Sequence, residues 1–292
     1  MPFHITPLAD PEPSASSRRL AWLASGDDGV PLGSAFLRLF TREGQEHLAE
    51  LQLAVHGAER RQGVGSRLLK AAVGAAKTER RRSVIAQAVQ GSPADLFLAA
   101  RGFRQVLALT YARLPLADVD RAAIDALLEL PHPGYRLTEW EGTVPDALAR
   151  SFADSRRAMD DMPMEGTDFG RVVWDVERVV AAAEAIARRG ELLHTVAAVD
   201  ADGSVVGFSE LVVAGDGSGE GQHYGTAVLP EHRGKGLAHW MKAAAVRYAL
   251  ERHPRLSGLC TDTAESNKPM LAVNDSLGYL PTHKSVEYQL DL

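Results

Sequence analysis

The sequence predicts an α/β fold, a mixed β-sheet with flanking helices, built twice in tandem. Three observations carry this. Stretches with two-residue apolar alternation interleave with stretches of helical periodicity. A glycine-rich strand-to-helix junction occurs twice: residues 55–65 (VHGAERRQGVG) lie on residues 228–238 (VLPEHRGKGLA) without a gap, at an offset of 173. The chain has 292 residues, a length that favours two domains. Two copies make a tandem rather than a solenoid.

In the first half a short strand is expected at 3–8. A Pro- and Ser-rich loop follows at 10–17, with no helical pattern before residue 19. From residue 19 the expected order is β-β-β-α-β-α-β. Strands at 19–24 and 30–40 flank Gly26-Asp27-Asp28-Gly29, a hairpin turn. Leu51, Leu53 and Val55 alternate along a strand at 49–55, which delivers the chain to the first glycine loop. A helix at 64–80, a strand at 84–89, a short helix at 93–100 and a strand at 103–114 complete the half. Ser92 and Pro93 suit the cap and first position of the short helix, and Gly102 suits its end.

A helix at 118–130, closed by Pro131-His132-Pro133-Gly134, reads as a linker. The second half then runs through a strand at 135–140 and helices at 145–160 and 176–189. Strands at 192–199 and 205–213 follow, with a glycine-rich turn at 216–221 and a strand at 222–228. After the second loop come a helix to 251, a strand at 256–261, a helix at 268–277 capped by Gly278, and a last strand at 285–290. The two early helices have no counterpart in the first half. The expected domains are therefore 1–116 (degenerate), 117–134 (linker) and 135–292 (complete).

The second loop predicts a phosphate site before any family is considered. Small residues at a helix start let an anion approach N–H groups that have no intrahelical partner, and the helix dipole favours negative charge there. The formal charge of −6 argues against nucleic acid as a partner. No 18-residue apolar run is present, so no membrane partner is expected. The single cysteine, Cys260, excludes a disulfide framework and points to a reducing compartment, with cytoplasm the default. No metal site is expected. The chain is expected to act as a monomer or homodimer. A P-loop NTPase is excluded because neither loop continues into Gly-Lys-Ser/Thr at the helix start.

V228LPEHRGKGLA238 resembles the acetyl-CoA loop of the GNAT (GCN5-related N-acetyltransferase) superfamily, Arg/Gln-x-x-Gly-x-Gly/Ala, and R60RQGVG65 matches it too. Residues 261–279 resemble the strand-helix segment of tandem GNAT proteins, and the Gly278-Tyr279 ending recurs at Gly102-Phe103. The layout is similar to that of mycothiol synthase. The resemblance implies acetyl transfer from acetyl-CoA to a small-molecule amine, with the chemistry in the second half. It implies that backbone around Arg233, Gly234, Lys235, Gly236, Leu237 and Ala238 holds the pyrophosphate. Val228 and Leu229 would meet pantetheine where the fourth strand splays from the fifth, and a backbone N–H there would polarise the thioester. Asn267 would cap the last helix and touch the cofactor. Val55, Arg60, Gly63, Val64 and Gly65 form the equivalent set in the first half.

Where many family members carry a proton-donating tyrosine, four residues before the Gly, this chain has Asn274 and Leu98. Asn274 can donate a hydrogen bond but is no proton source. Glu210 is the first candidate for the general base. Tyr224 and His223 are candidates for a proton relay. Cys260 reads as an apolar packing residue. Asp160, Asp161, Glu165 and Asp168, with Met159, Met162 and Met164, form an acidic, Met-rich loop. It reads either as a wall for a cationic acceptor or as a solvated surface. The alternative to catalysis is a degenerate tandem protein that binds acetyl-CoA as a sensor or scaffold.

Overall fold

A computed structural model of the chain describes residues 3–8, 17–160, 166–170 and 173–292. The first half holds β1 (Phe3–Leu8), β2 (Ser17–Gly26), β3 (Pro31–Phe40), β4 (Leu48–Val55), α1 (Val64–Thr78), β5 (Ser83–Val89), α2 (Pro93–Ala99) and β6 (Arg104–Pro115). Then come α3 (Arg121–Leu128), β7 (Tyr135–Glu141), α4 (Asp146–Ser155), α5 (Val176–Arg188), β8 (Glu191–Asp200), β9 (Val205–Ala214) and β10 (Ser218–Val228). The chain closes with α6 (Leu237–Arg252), β11 (Arg255–Ala264), α7 (Lys268–Ser276) and β12 (Leu280–Asp291).

Local signals work as expected at the helix starts. The Ser92 hydroxyl accepts from Asp95 N, and the Asp120, Asp175 and Asn267 side chains cap α3, α5 and α7 in the same way. Three boundaries differ by four or more residues from the sequence pattern, one of them the last strand, which begins at Leu280 rather than 285. The helix expected at 145–160 stops at Ser155 and tightens into a 3-10 turn, Arg156–Met159. The glycine-rich stretch expected as a turn at 216–221 is mostly strand, because β10 pairs with β11 from Ser218 on, before its pairing with β9 begins at Gln222. Gly221 permits that: a Cβ there would sit 2.9 Å from Leu259 Cδ2.

The chain forms two compact units, Met1–Ala108 with Met164–Val172 and Lys284–Leu292, and Leu109–Pro163 with Val173–His283. In the first, the strand order is β1-β2-β3-β4-β5-β12. The C-terminal strand β12 lies antiparallel to β5, from Ser285↔Val89 to Asp291↔Ser83. In the second, the order is β6-β11-β10-β9-β8-β7, with β6 antiparallel to β11 from Gly258↔Pro115 to Ala264↔Leu109. Each unit's sheet is thus finished by a strand from the other half of the sequence. The expected divisions at 116 and 135 follow the internal repeat, whereas the compact units follow this strand pairing.

The core of the first unit lies between its sheet and α1, around Leu37, Leu51, Leu68, Leu69 and Phe103. In the second, α4 packs on β9 around Phe152 and Phe208, while α6 covers the sheet with Leu237, Met241, Ala244 and Ala245. Between β1 and β2 only residues 9–16 intervene, too few for two helices. No helix among the described residues is long and apolar enough to cross a membrane.

Candidate functional site

The second unit opens a gap in its sheet. β10 and β11 are parallel and paired from Ser218↔Arg255 to Gln222↔Cys260, and no further. Beyond that point β10 continues to Val228 on β9 alone, while residues 261–264 of β11 pair only with β6. The edge of β10 from His223 to Val228 is therefore unpaired on its β11 side. A β-bulge at Tyr224 lies at the closed end of the gap, since His223 pairs Leu211 and Gly225 pairs Glu210.

Leu229 N donates to Val206 O at 2.9 Å, which makes Val228↔Gly207 a non-hydrogen-bonded pair. The N–H and C=O of Val228 consequently point away from β9, into the gap. Its carbonyl accepts Arg233 Nε at 2.9 Å, so the Val228 N–H is the open group. Leu229 differs from expectation: its N–H is committed to Val206 and its C=O accepts His232 N. Its N–H is therefore not available to a ligand.

The loop after β10 is shaped by left-handed glycines. Gly234 and Gly236 both have φ +76. A Cβ on Gly236 would also come within 3.2 Å of His132 Cε1. Residues at and just before the start of β7 brace the loop. His132 stacks on Trp240 and bonds Lys235 O, and Tyr135 Oη bonds His232 Nδ1 at 2.9 Å and Lys235 Nζ at 2.5 Å. Trp240 N is the first in α6 to bond within the helix start, to Gly236 O. The preceding N–H groups at Leu237 and Ala238 form the open first turn. Gap, open N–H and helix start make a continuous track suited to an anion carried on an extended, hydrogen-bonding arm.

Glu210 is not an open proton acceptor. It is 7% exposed, and its carboxylate is gripped by both terminal nitrogens of Arg156, with Nη1–Oε2 at 2.9 Å. The Arg156 guanidinium also lies over the rings of Phe152, Trp174 and Phe208. Expected as the general base, Glu210 instead fixes the 3-10 turn after α4 to β9. Arg156 sits 54 positions earlier and carries no local sequence signal of this pairing.

Tyr224, the bulge residue, is 48% exposed, and its hydroxyl accepts Arg189 Nη2 at 3.1 Å. Asn274 is buried. Its Nδ2 donates to Thr263 Oγ1 at 3.0 Å, and its Oδ1 has no partner among the described residues. It lines a cleft of about 330 Å³ between α7 and β6 with Thr110, Leu271 and Tyr279. Asn267 accepts Met270 N as a helix cap. Cys260 is half-buried; burial and a contact with Glu220 push its thiol up to about 11, so it is not a thiolate nucleophile. Met159 reaches Gly225 on β10, with Cε 3.4 Å from the Cβ position. Asp168 belongs to the first unit, paired with His47. Asp161, Met162, Met164 and Glu165 lie outside the described residues.

His223 does carry a buried polar pair. Its Nε2 lies 2.7 Å from Tyr279 Oη, and burial, then the charge of Lys242, holds its imidazole well below the ordinary range. Lys242 itself, 1% exposed, was not evident from sequence. It interrupts an otherwise apolar run, Trp240 to Val246, and that interruption was the available signal.

The first unit repeats the track. β4 and β5 are parallel from Leu48↔Ser83 to Leu51↔Ala86, then part. His56 N donates to Leu32 O and Arg60 Nε to Val55 O, as their counterparts do. Arg61 and Gly63 have φ +65 and +86, matching Gly234 and Gly236. Val64 and Gly65 begin α1, with the Phe97 ring 3.5 Å from the Cβ position of Gly65. β4 has no bulge in its pairing with β3.

The acetyltransferase (GNAT) family model matches residues 3–103 and 159–279, one segment in each half. The chain belongs to the GNAT family. Among solved structures, this GNAT chain is similar to a tandem GNAT protein from the clavulanic acid biosynthesis pathway. Identity there is 26%, with 96% of this chain and 84% of that one covered and a TM-score of 0.77. A GCN5-related N-acetyltransferase from Sphaerobacter thermophilus shows 18% identity, 93% and 80% coverage and a TM-score of 0.64. One from Kribbella flavida shows 16%, 94% and 89%, and 0.57. No curated protein matches the sequence. The two-copy α/β architecture read from the repeat is thus that of a tandem GNAT protein, whose family chemistry in general is acyl transfer from an acyl-CoA.

Proposed function

We propose that the protein is an acetyl-CoA-dependent N-acetyltransferase for a small amine, with the chemistry carried by the C-terminal half, 135–292. The observation that carries this reading is the open edge of β10, which runs from the bulge at Tyr224 to the Val228 N–H, in line with the α6 helix start. Bound acetyl-CoA supplies the activated acetyl group. The N–H groups from Gly234 to Ala238 hold its phosphates, the Val228 N–H meets the extended amide arm, and a backbone N–H further along the same open edge, toward the bulge, is the fixed dipole that polarises the thioester carbonyl. α4, α5 and Met159 cover the acceptor side, and the Arg156–Glu210 pair keeps that wall in place.

Thiol release from acetyl-CoA, assayed with polyamines, aminoglycosides, amino sugars and a peptide N-terminus, tests the reading. At least one class is expected to turn over. Loss of activity in Gly63→Val with retention in Gly236→Val would reverse the assignment of halves.

A second reading is favoured by one observation: Glu210 is locked and Asn274 is no acid, so both expected proton-transfer positions are unavailable. Acetyl-CoA binding without turnover of any amine would establish the protein as a sensor or scaffold.

A further inference from the structure

The two units offer an internal control for what the fold alone requires. Gly33 pairs with Val55 and Gly207 with Val228, at the same point beside each loop. Four residues further along β3 and β9, Leu37 faces Leu51 and Leu211 faces His223. The bulge at Tyr224 thus puts His223 on the station of Leu51. The 173-residue offset puts Lys242 on Leu69, and the shared Gly-aromatic ending puts Tyr279 on Phe103. In the first unit all three stations are buried and apolar: Leu51, Leu69 and Phe103. In the second all three are buried and titratable.

Packing does not explain the exchange. An ammonium buried without an acceptor is costly, and leucine fills the same station in the sister unit. Lys242 has no hydrogen bond or ion pair among the described residues; its Nζ lies 4.7 Å from the centre of the Tyr279 ring. The Tyr279 hydroxyl is anchored to His223, the first residue of β10 past its pairing with β11. Asp262 of β11, beside the gap and near Gln222, adds an attractive charge. From β9 the facing side chain is the apolar Leu211. An arm that enters at the α6 N-terminus and follows the open edge of β10 runs out where the strands close, at His223.

We propose that Lys242 is the proton donor to the leaving sulfur, held in place by the face of Tyr279, whose hydroxyl is in turn fixed by His223. This rests on the acetyl-CoA reading above. The acceptor nitrogen bonds to the thioester carbonyl carbon, and the C–S bond breaks with its electron pair on sulfur. The sulfur takes a proton from Lys242 Nζ, leaving a neutral amine. The proton shed by the acceptor nitrogen returns to Lys242 through water, so the net change is amide plus free thiol. Burial, opposed by Asp262, brings the Lys242 ammonium down to about 7, which lets it give up and regain a proton near neutrality. Burial also pushes the Tyr279 phenol up, so it serves as a holder rather than an acid.

The test uses CoA itself, needs no acceptor, and reads thiolate absorbance against pH with binding followed by calorimetry. It is run on the wild-type chain and on one carrying Gly63→Val, which removes the first loop's contribution. Bound CoA is expected to ionise at least about one pH unit below free CoA, a tenfold stabilisation of its thiolate. Lys242→Met is expected to bind CoA and lose that shift. A bound thiol that ionises as in free CoA overturns the proposal on the wild-type chain alone, as does a shift that survives in Lys242→Met. Absence of CoA binding would instead sink the acetyl-CoA reading, and this proposal with it.

Discussion

The two units carry nearly the same backbone track and differ in what surrounds it. Both have a parallel strand pair that parts, a strand-to-helix loop with two left-handed residues, and an arginine folded back onto the last strand carbonyl. The second adds the bulge at Tyr224, the α4 and α5 wall, and buried titratable groups where the first has leucine and phenylalanine. Phe36 and Glu210 show the consequence of the wall. They occupy equivalent stations, three residues past Gly33 and Gly207; Phe36 is 41% exposed and Glu210 is buried under Arg156. A cradle for a cofactor can persist from backbone geometry alone. Chemistry needs side chains brought in from other elements.

The largest expected contrast is in activity. Gly236→Val forces a branched residue into φ +76 against His132, and acetyl transfer should fall at least about 100-fold, the scale of losing preorganised donors. Gly63→Val should change it less than about twofold, because that unit lacks the acceptor wall. Equal losses would break the comparison.

Next comes stability. Glu210→Leu strands the buried Arg156 and should cost about 3–5 kcal/mol in denaturant titration. Glu50→Leu breaks the exposed Arg38–Glu50 pair and should cost under about 1 kcal/mol. Replacing Arg156 and Glu210 together by apolar residues should cost less than Glu210→Leu alone.

Lys242→Met should stabilise the chain by a few kcal/mol at neutral pH. The folded ammonium is depressed from 10.5 to about 7, so between those values the unfolded chain binds the extra proton. Wild-type stability therefore rises with pH across that window, and the variant should lose this slope. His223, depressed by burial, should make the wild type lose stability as pH falls below about 6.5. Leu69→Ala in the sister unit should cost about 2–5 kcal/mol with no such pH dependence.

The smallest effects should be alike in both units. Ser92→Ala and Asp175→Ala each remove a helix cap and should cost about 1 kcal/mol. Unequal costs would show that one helix start depends on more than its cap.

The sequence by itself determined the repeat, the order of elements and the two loops. Those are written in local currency: two-residue and helical periodicity, caps, and glycines where φ must be positive. The open N–H at Val228 follows from that pattern once β9 and β10 are paired. Tertiary structure alone decided which strand completes which sheet, since β12 on β5 and β6 on β11 satisfy backbone groups far apart in the chain. It also decided that Glu210 belongs to Arg156, that the Leu229 N–H is committed to Val206, and that Lys242 is buried beside Tyr279. Each depends on a partner 20 or more residues away, or on both faces of α6 being covered, and no local periodicity carries that information.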